Sequence, residues 1–128
     1  PAQTLVCVVT TPEEMAVREA AELYVELTQR LGLPVAPPIV NAMPPRRFTR
    51  DDDPALTALE QSTPGHPYLA AARFELERRS HAAAQVKSLA AATATRPVRL
   101  PFVFVGPEDP EGMQRLIRAL AEAAGLAA

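Results

Sequence analysis

Thr4-Leu5-Val6-Cys7-Val8-Val9-Thr10, then Thr11-Pro12-Glu13-Glu14-Met15, then Pro38-Ile39-Val40-Asn41 is the stretch that decides the fold. The Leu5–Val9 run is short, continuously apolar and rich in β-branched residues. That pattern belongs to a strand buried on both faces of a parallel sheet. Thr11 can cap the helix that follows, Pro12 suits its first position, and Glu14 completes a Thr-x-x-Glu capping box. Ala16, Ala20, Leu23, Leu27 and Leu31 form one apolar stripe. Arg18, Glu22, Glu26 and Arg30 form a charged row outside it, and Gly32 ends the helix. A second short strand is expected near Pro38–Ala42. A strand, a crossover helix and a strand of this size make a right-handed parallel unit.

Outward from this unit the pattern loosens. Pro44-Pro45 breaks the second strand, and the arginine and aspartate runs after it are loop-like. Asp53-Pro54 starts a short helix through about Gln61. A long helix is expected from near Pro67 to about Ala92, with Leu69, Ala72, Leu76, Ala83, Val86 and Ala90 on one face. Arg79 interrupts that face. It either snorkels from the edge of the stripe or reaches a neighbouring acidic group or nucleotide. A third strand covers Val98–Val105, and Pro101 marks a bend or an edge position in it. Gly106-Pro107-Glu108-Asp109 is a loop, and Asp109-Pro110 starts a last helix with Met113, Leu116, Ile117 and Leu120 on its buried side. The expected class is α/β, a three-stranded and mainly parallel sheet with flanking helices.

The 128 residues amount to one domain or part of one. Few aromatics and no tryptophan imply an aliphatic core. A net charge of −2 gives no basic footprint for nucleic acid. Arg46, Arg47 and Arg50 cluster, but Asp51, Asp52 and Asp53 follow at once, as in a solvated loop that neutralises itself. The single Cys7 has no partner for an internal disulfide, which fits a reducing cytoplasm, and it reads as a small core residue. No run is long enough to span a membrane, and none reads as a secretory leader. The chain begins a few residues before a strand, as expected of a piece of something longer.

Motifs that carry chemistry are sparse. A Gly-x-x-x-x-Gly-Lys-[Ser/Thr] loop is absent from the sequence, and so is Gly-x-Gly-x-x-Gly. His66 and His81 lack the spacing of a metal pair, and Cys7 lacks a second ligand. His81 is expected to face solvent. Glu13 and Glu14 resemble a carboxylate pair, but acidic residues at a helix start are favoured by its dipole alone. No catalytic or metal-binding residue is assigned. Asn41 differs, because it closes an apolar strand at the carboxyl end, where open α/β sheets place their ligands. Its amide matches a donor–acceptor edge of adenine. A turn-forming asparagine bonded to its own backbone would read the same way.

Thr4-Leu5-Val6-Cys7-Val8, Pro12-Glu13-Glu14-Met15 with Glu19, and Pro38-Ile39-Val40-Asn41 together resemble the C-terminal part of the arsenite-pump ATPase family. That family includes the ATPases that target tail-anchored membrane proteins. Looser similarities follow in Arg79 and Gln85, in Leu100-Pro101-Phe102 and in Gly112–Leu116. The resemblance implies that residues 1–128 are the back half of a P-loop NTPase domain whose Walker loop, Mg²⁺ ligands and switch segments lie upstream. It places Asn41 on adenine, with Pro101 and Phe102 as lesser nucleotide-binding candidates in a loop that closes over the base. The loop from Pro101 to Gly112 is longer than the family pattern, and the family's metalloid-binding cysteines have no counterpart.

ATP and Mg²⁺ are then cofactors of the parent protein, and the chain alone is expected to bind neither productively nor to hydrolyse ATP. The implied partners are the missing N-terminal half, a second copy in a homodimer, and a membrane-protein cargo or a transporter. Two other readings stay open: a stand-alone, non-catalytic interaction module on an α/β scaffold, and a small enzyme on a flavodoxin-like sheet.

Overall fold

A computed structural model describes residues 4–106 and 108–125. The elements are β1 (Val9–Thr10), α1 (Glu14–Val25) continued by a π-helical turn (Glu26–Arg30), and β2 (Ile39–Met43). A 3₁₀ turn (Arg50–Asp52) then leads into α2 (Asp53–Ser62), followed by α3 (Pro67–Thr93), β3 (Val98–Pro101) and α4 (Pro110–Ala123). The three strands are parallel and lie in the order β1-β2-β3. The chain is thus the α/β sheet with flanking helices that the sequence predicts. Among the described residues no helix is long and apolar enough to cross a membrane.

The first strand is shorter and more one-sided than its composition implies. Only Val9 and Thr10 ladder with Ile39 and Val40, and Val6 adds a single bridge to Val35. Val8 and Thr10 are buried, whereas Leu5, Cys7 and Val9 are exposed. Side chains alternate along a strand, so the even positions enter the core and the odd ones point to the opposite face. Two expectations are corrected here: the strand is not buried on both faces, and Cys7 is not a core residue. An unbroken apolar run reads alike whether one face is covered or both.

Helix α1 begins later than the capping box implies. Thr11 donates its hydroxyl to the Glu13 carboxylate, and Glu13, the residue before the helix, makes no side-chain cap. Gly32, at φ 62, turns the chain out of the helix as expected. Val17 and Ala20 are buried, and Ala21, Tyr24 and Leu27 pack against the core. Leu23 and Leu31 are exposed, so the buried stripe is rotated from the predicted one. The rotation follows from the partner, because α1 packs against α3.

Val8, Val17, Ala20, Val40, Met43, Ala82, Val86 and Leu89 form one continuous core, with Val40 and Leu89 fully enclosed. On α3 the buried positions are Leu76, Ala82, Val86, Leu89 and Thr93. The predicted Ala83 is exposed and Ala90 only half-buried. A stripe made largely of alanine gives little contrast between neighbouring faces, and the larger Leu89 takes the core position. Buried Thr93 satisfies its hydroxyl by donating to the Leu89 carbonyl at 2.8 Å. Arg73 locks α2 onto α3: its guanidinium bonds the Asp53 carboxylate at 2.5 Å and the Glu60 carboxylate at 2.8 Å.

Strand β3 ends at Pro101 rather than Val105. Proline has no N–H to continue the ladder. Phe102 still donates to the Met43 carbonyl at 3.0 Å, and the chain then turns at Val103–Gly106. Pro107 of the predicted loop lies outside the described residues. Asp109 caps α4, its carboxylate accepting from the N–H groups of Glu111 and Gly112 at 2.9 and 3.2 Å. The predicted buried side of α4 is corrected: Met113, Ile117 and Leu120 are exposed, and Leu116 is half-buried.

Candidate functional site

Asn41 lies within β2, not after it, at an irregularity in the ladder with β3 between Val40 and Met43. The next residue, Ala42, has φ 58. A left-handed alanine is disfavoured by its own Cβ, and such outliers persist where the surroundings hold them. Val40, fully buried, anchors the strand just before the break.

A cavity of about 420 Å³ opens here, lined by Asn41, by Val9, Thr10 and Thr11 at the end of β1, and by Ala16, Glu19 and Leu23 of α1. The Asn41 side chain is exposed and makes no hydrogen bond to the protein among the described residues. An asparagine engaged in its own turn would have spent its oxygen on nearby backbone N–H groups. Thr10 donates its hydroxyl to the Thr11 carbonyl at 3.1 Å. The cavity therefore offers one amide with free donors and an acceptor, one carboxylate, and an apolar wall.

Pro101 and Phe102 do not line this cavity. Pro101 pairs with Met43 at the end of β2, and the Phe102 ring meets Phe104 edge-on with centroids 4.7 Å apart. All three predicted residues thus sit toward the carboxyl ends of neighbouring strands, but only Asn41 faces the cavity. Thr10, Thr11 and Glu19 complete it. The Thr-Thr pair at the exit of an apolar strand was the available signal for two of them.

A larger groove of about 890 Å³ runs between α3, β3 and α4. It is lined by Thr95, Arg96 and Pro97, which lead into β3, so it lies toward the amino end of that strand. Open α/β sheets bind ligands at the opposite end, which favours the smaller cavity. Among the described residues no group of His, Cys, Asp and Glu side chains gathers in a metal-binding arrangement. Arg79 is half-buried, as a side chain snorkelling from its helix would be, and among the described residues it pairs with no acidic side chain. Its Nη1 donates to the Pro44 carbonyl at 2.9 Å, just past the end of β2.

Compared with protein-family models and with curated proteins, the chain matches none.

Proposed function

We propose that the chain is the C-terminal segment of an ATPase of the arsenite-pump or tail-anchored-targeting type, and that Asn41 contributes to its adenine pocket. The observation that carries this reading is the unengaged Asn41 amide on an apolar-walled cavity at the carboxyl end of the sheet. The cavity falls within the range of roughly 300–1,000 Å³ typical of small-molecule sites. Val9, Ala16 and Leu23 supply apolar surface for a flat base, and the amide supplies the directional contact. Pro101 and Phe102 belong to the segment that would approach the base from the β3 side. Phosphates and Mg²⁺ fall to a P-loop upstream, and phosphoryl transfer consists mostly of positioning and charge stabilisation there. The chain alone is therefore inactive in this proposal, and hydrolysis belongs to the assembled protein, a cytoplasmic homodimer serving a membrane-protein cargo or a transporter.

The codons preceding Pro1 test the reading. A glycine-rich phosphate loop encoded upstream and in frame is the expected result. An initiation codon at that point overturns it in favour of a non-catalytic interaction module, the alternative to which the exposed apolar residues of β1 and α4 also point. In the protein carrying both halves, Asn41→Ala removes up to two base hydrogen bonds, each worth roughly 0.5–1.5 kcal/mol. ATP affinity should then fall about tenfold, with weaker discrimination against GTP. A well-folded variant with unchanged ATP/GTP preference rejects the adenine role.

A further inference from the structure

The loop leaving β2 carries Arg46, Arg47 and Arg50, and the aspartates after it look placed to neutralise them. The fold sends two of those acids elsewhere. Asp52 accepts from the Thr49 backbone N–H at 2.7 Å, and Asp53 pairs with Arg73 at 2.5 Å. Asp51 is exposed. Arg46 and Arg50 instead converge with Arg79 of α3 on a separate cavity of about 200 Å³. Leu76 and Ser80 help to line it, and no acidic side chain does.

Among the described residues, no ion pair engages Arg46, Arg50, Arg79 or Arg99. Arg79 is half-buried with a single hydrogen bond to a neutral carbonyl. Burial first, and then the nearby Arg46 and Arg99 charges, push its pKa below that of a free arginine. Guanidinium groups remain protonated at any working pH, so the mutual repulsion persists. The protein as a whole carries a net charge of −2, so it holds enough acids to quench this cluster, and none lines the cavity.

We infer that this cavity binds a phosphate-type oxyanion, a phosphate or pyrophosphate group held by the Arg46, Arg50 and Arg79 guanidiniums with Ser80 on its wall. Guanidinium forks match phosphate oxygens in charge and geometry. The cavity lies beside Pro44, past the carboxyl end of β2, where open α/β sheets bind ligands. Its volume is below the roughly 300 Å³ at which sites for whole small molecules begin, so it takes a phosphoryl group and not an entire nucleotide. It shares no lining residue with the Asn41 cavity, so the inference stands apart from the adenine reading.

The test is a titration of the chain with sodium pyrophosphate at fixed ionic strength, followed by amide and arginine-side-chain NMR. Saturable shifts at Thr49, Arg50, Arg79 and Ser80 are expected. Arg50→Gln, at an exposed position, should weaken binding about tenfold with the rest of the spectrum unchanged. Arg79→Met should abolish binding, and Arg46→Gln serves as a second variant outside the core. Parallel titrations with ATP and with inorganic phosphate identify the source: ATP shifts sensitive to Arg50→Gln indicate the phosphate tail of a nucleotide, and phosphate shifts alone indicate a free anion. Absence of saturation at about 10 mM pyrophosphate overturns the site, as do identical shifts with sodium chloride or unchanged affinity in both glutamine variants.

Discussion

The α1–α3 side of the molecule encloses its apolar residues, whereas α4, though it packs against β3, leaves most of its apolar stripe exposed. Val40 and Leu89 on the packed side are 0% exposed, whereas Val9 on the opposite face of β1 is 58% exposed and Ile117 on α4 is 57% exposed. Period in a sequence tells which side chains share a face. It does not tell whether another element lies over that face, because the information resides in a partner distant in sequence or in another chain. Exposed apolar surface of this extent on small elements marks an interaction face more often than a solvent face.

The contrast breaks most clearly in paired truncations. Leu89→Ala empties a fully enclosed position and should cost about 2–5 kcal/mol. Ile117→Ala removes a side chain already in water and should change stability by no more than about 0.5 kcal/mol. Chemical denaturation of both variants checks this. Comparable losses would mean that α4 is as tightly held as α3, and the two-sided description of the molecule would fail.

On the loose side one contact is tight. Gly112 is the buried residue of α4, and a Cβ there would run into the Gly106 carbonyl and come within 2.7 Å of the Val103 side chain. The carbonyl cannot swing aside as a side-chain tip would. Gly112→Ala should therefore cost about 1–3 kcal/mol, with the loss concentrated in α4. Faster hydrogen exchange in α4, with α3 unchanged, is the expected signature. A uniform loss of protection would show that α4 and the core unfold together.

The exposed face and free edge of β1 should govern association. Edge strand β1 presents unpaired backbone groups beside Leu5 and Val9, and such edges recruit partners. A dimer is expected for the isolated chain, and Val9→Lys should weaken it about tenfold or more by sedimentation analysis while leaving the monomer folded. A clean monomer across a wide concentration range would leave this face without a self-partner.

These differences explain what was legible in the sequence. The punctuation of the helices was, because Asp53-Pro54, Pro67 and Asp109-Pro110 each start a helix where proline suits the first turn. The parallel arrangement was, because strand–helix–strand spacing leaves few other topologies. The choice between Ala82 and Ala83 on α3 was not, since two adjacent alanines carry no hydrophobic contrast. At the candidate site the sequence singled out Asn41 as the end of an apolar strand, and the structure places it within β2 and on the cavity. The left-handed Ala42 beside it was not readable, since no glycine or asparagine marks that backbone. The converging arginines were hidden because Asp52 and Asp53, adjacent in sequence, turn to Thr49 and Arg73 in space.

The smallest effect concerns the α2–α3 lock, and it is visible only through pH. Hydrogen bonds from Arg73 hold the carboxyl groups of Asp53 and Glu60 below their ordinary values of 3.8 and 4.5, against the opposing influence of burial. A carboxylate with a depressed folded pKa contributes its stabilisation fully above its unfolded pKa and loses it as pH falls through the folded value. The contribution is therefore complete at neutral pH and begins to fade only as pH drops below about 4.5, the ordinary Glu60 value. Both carboxylates are partly exposed, at 51% and 33%, so solvent screening keeps the effect small. Amide protection in α2 should decline in that acidic window before protection in α3 does. Arg73→Met should remove the early decline by loosening α2 at every pH. Parallel decline of α2 and α3 in the unmodified chain would show that Arg73 does not hold the two helices together, and that α2 is secured by Leu56, its one buried side chain.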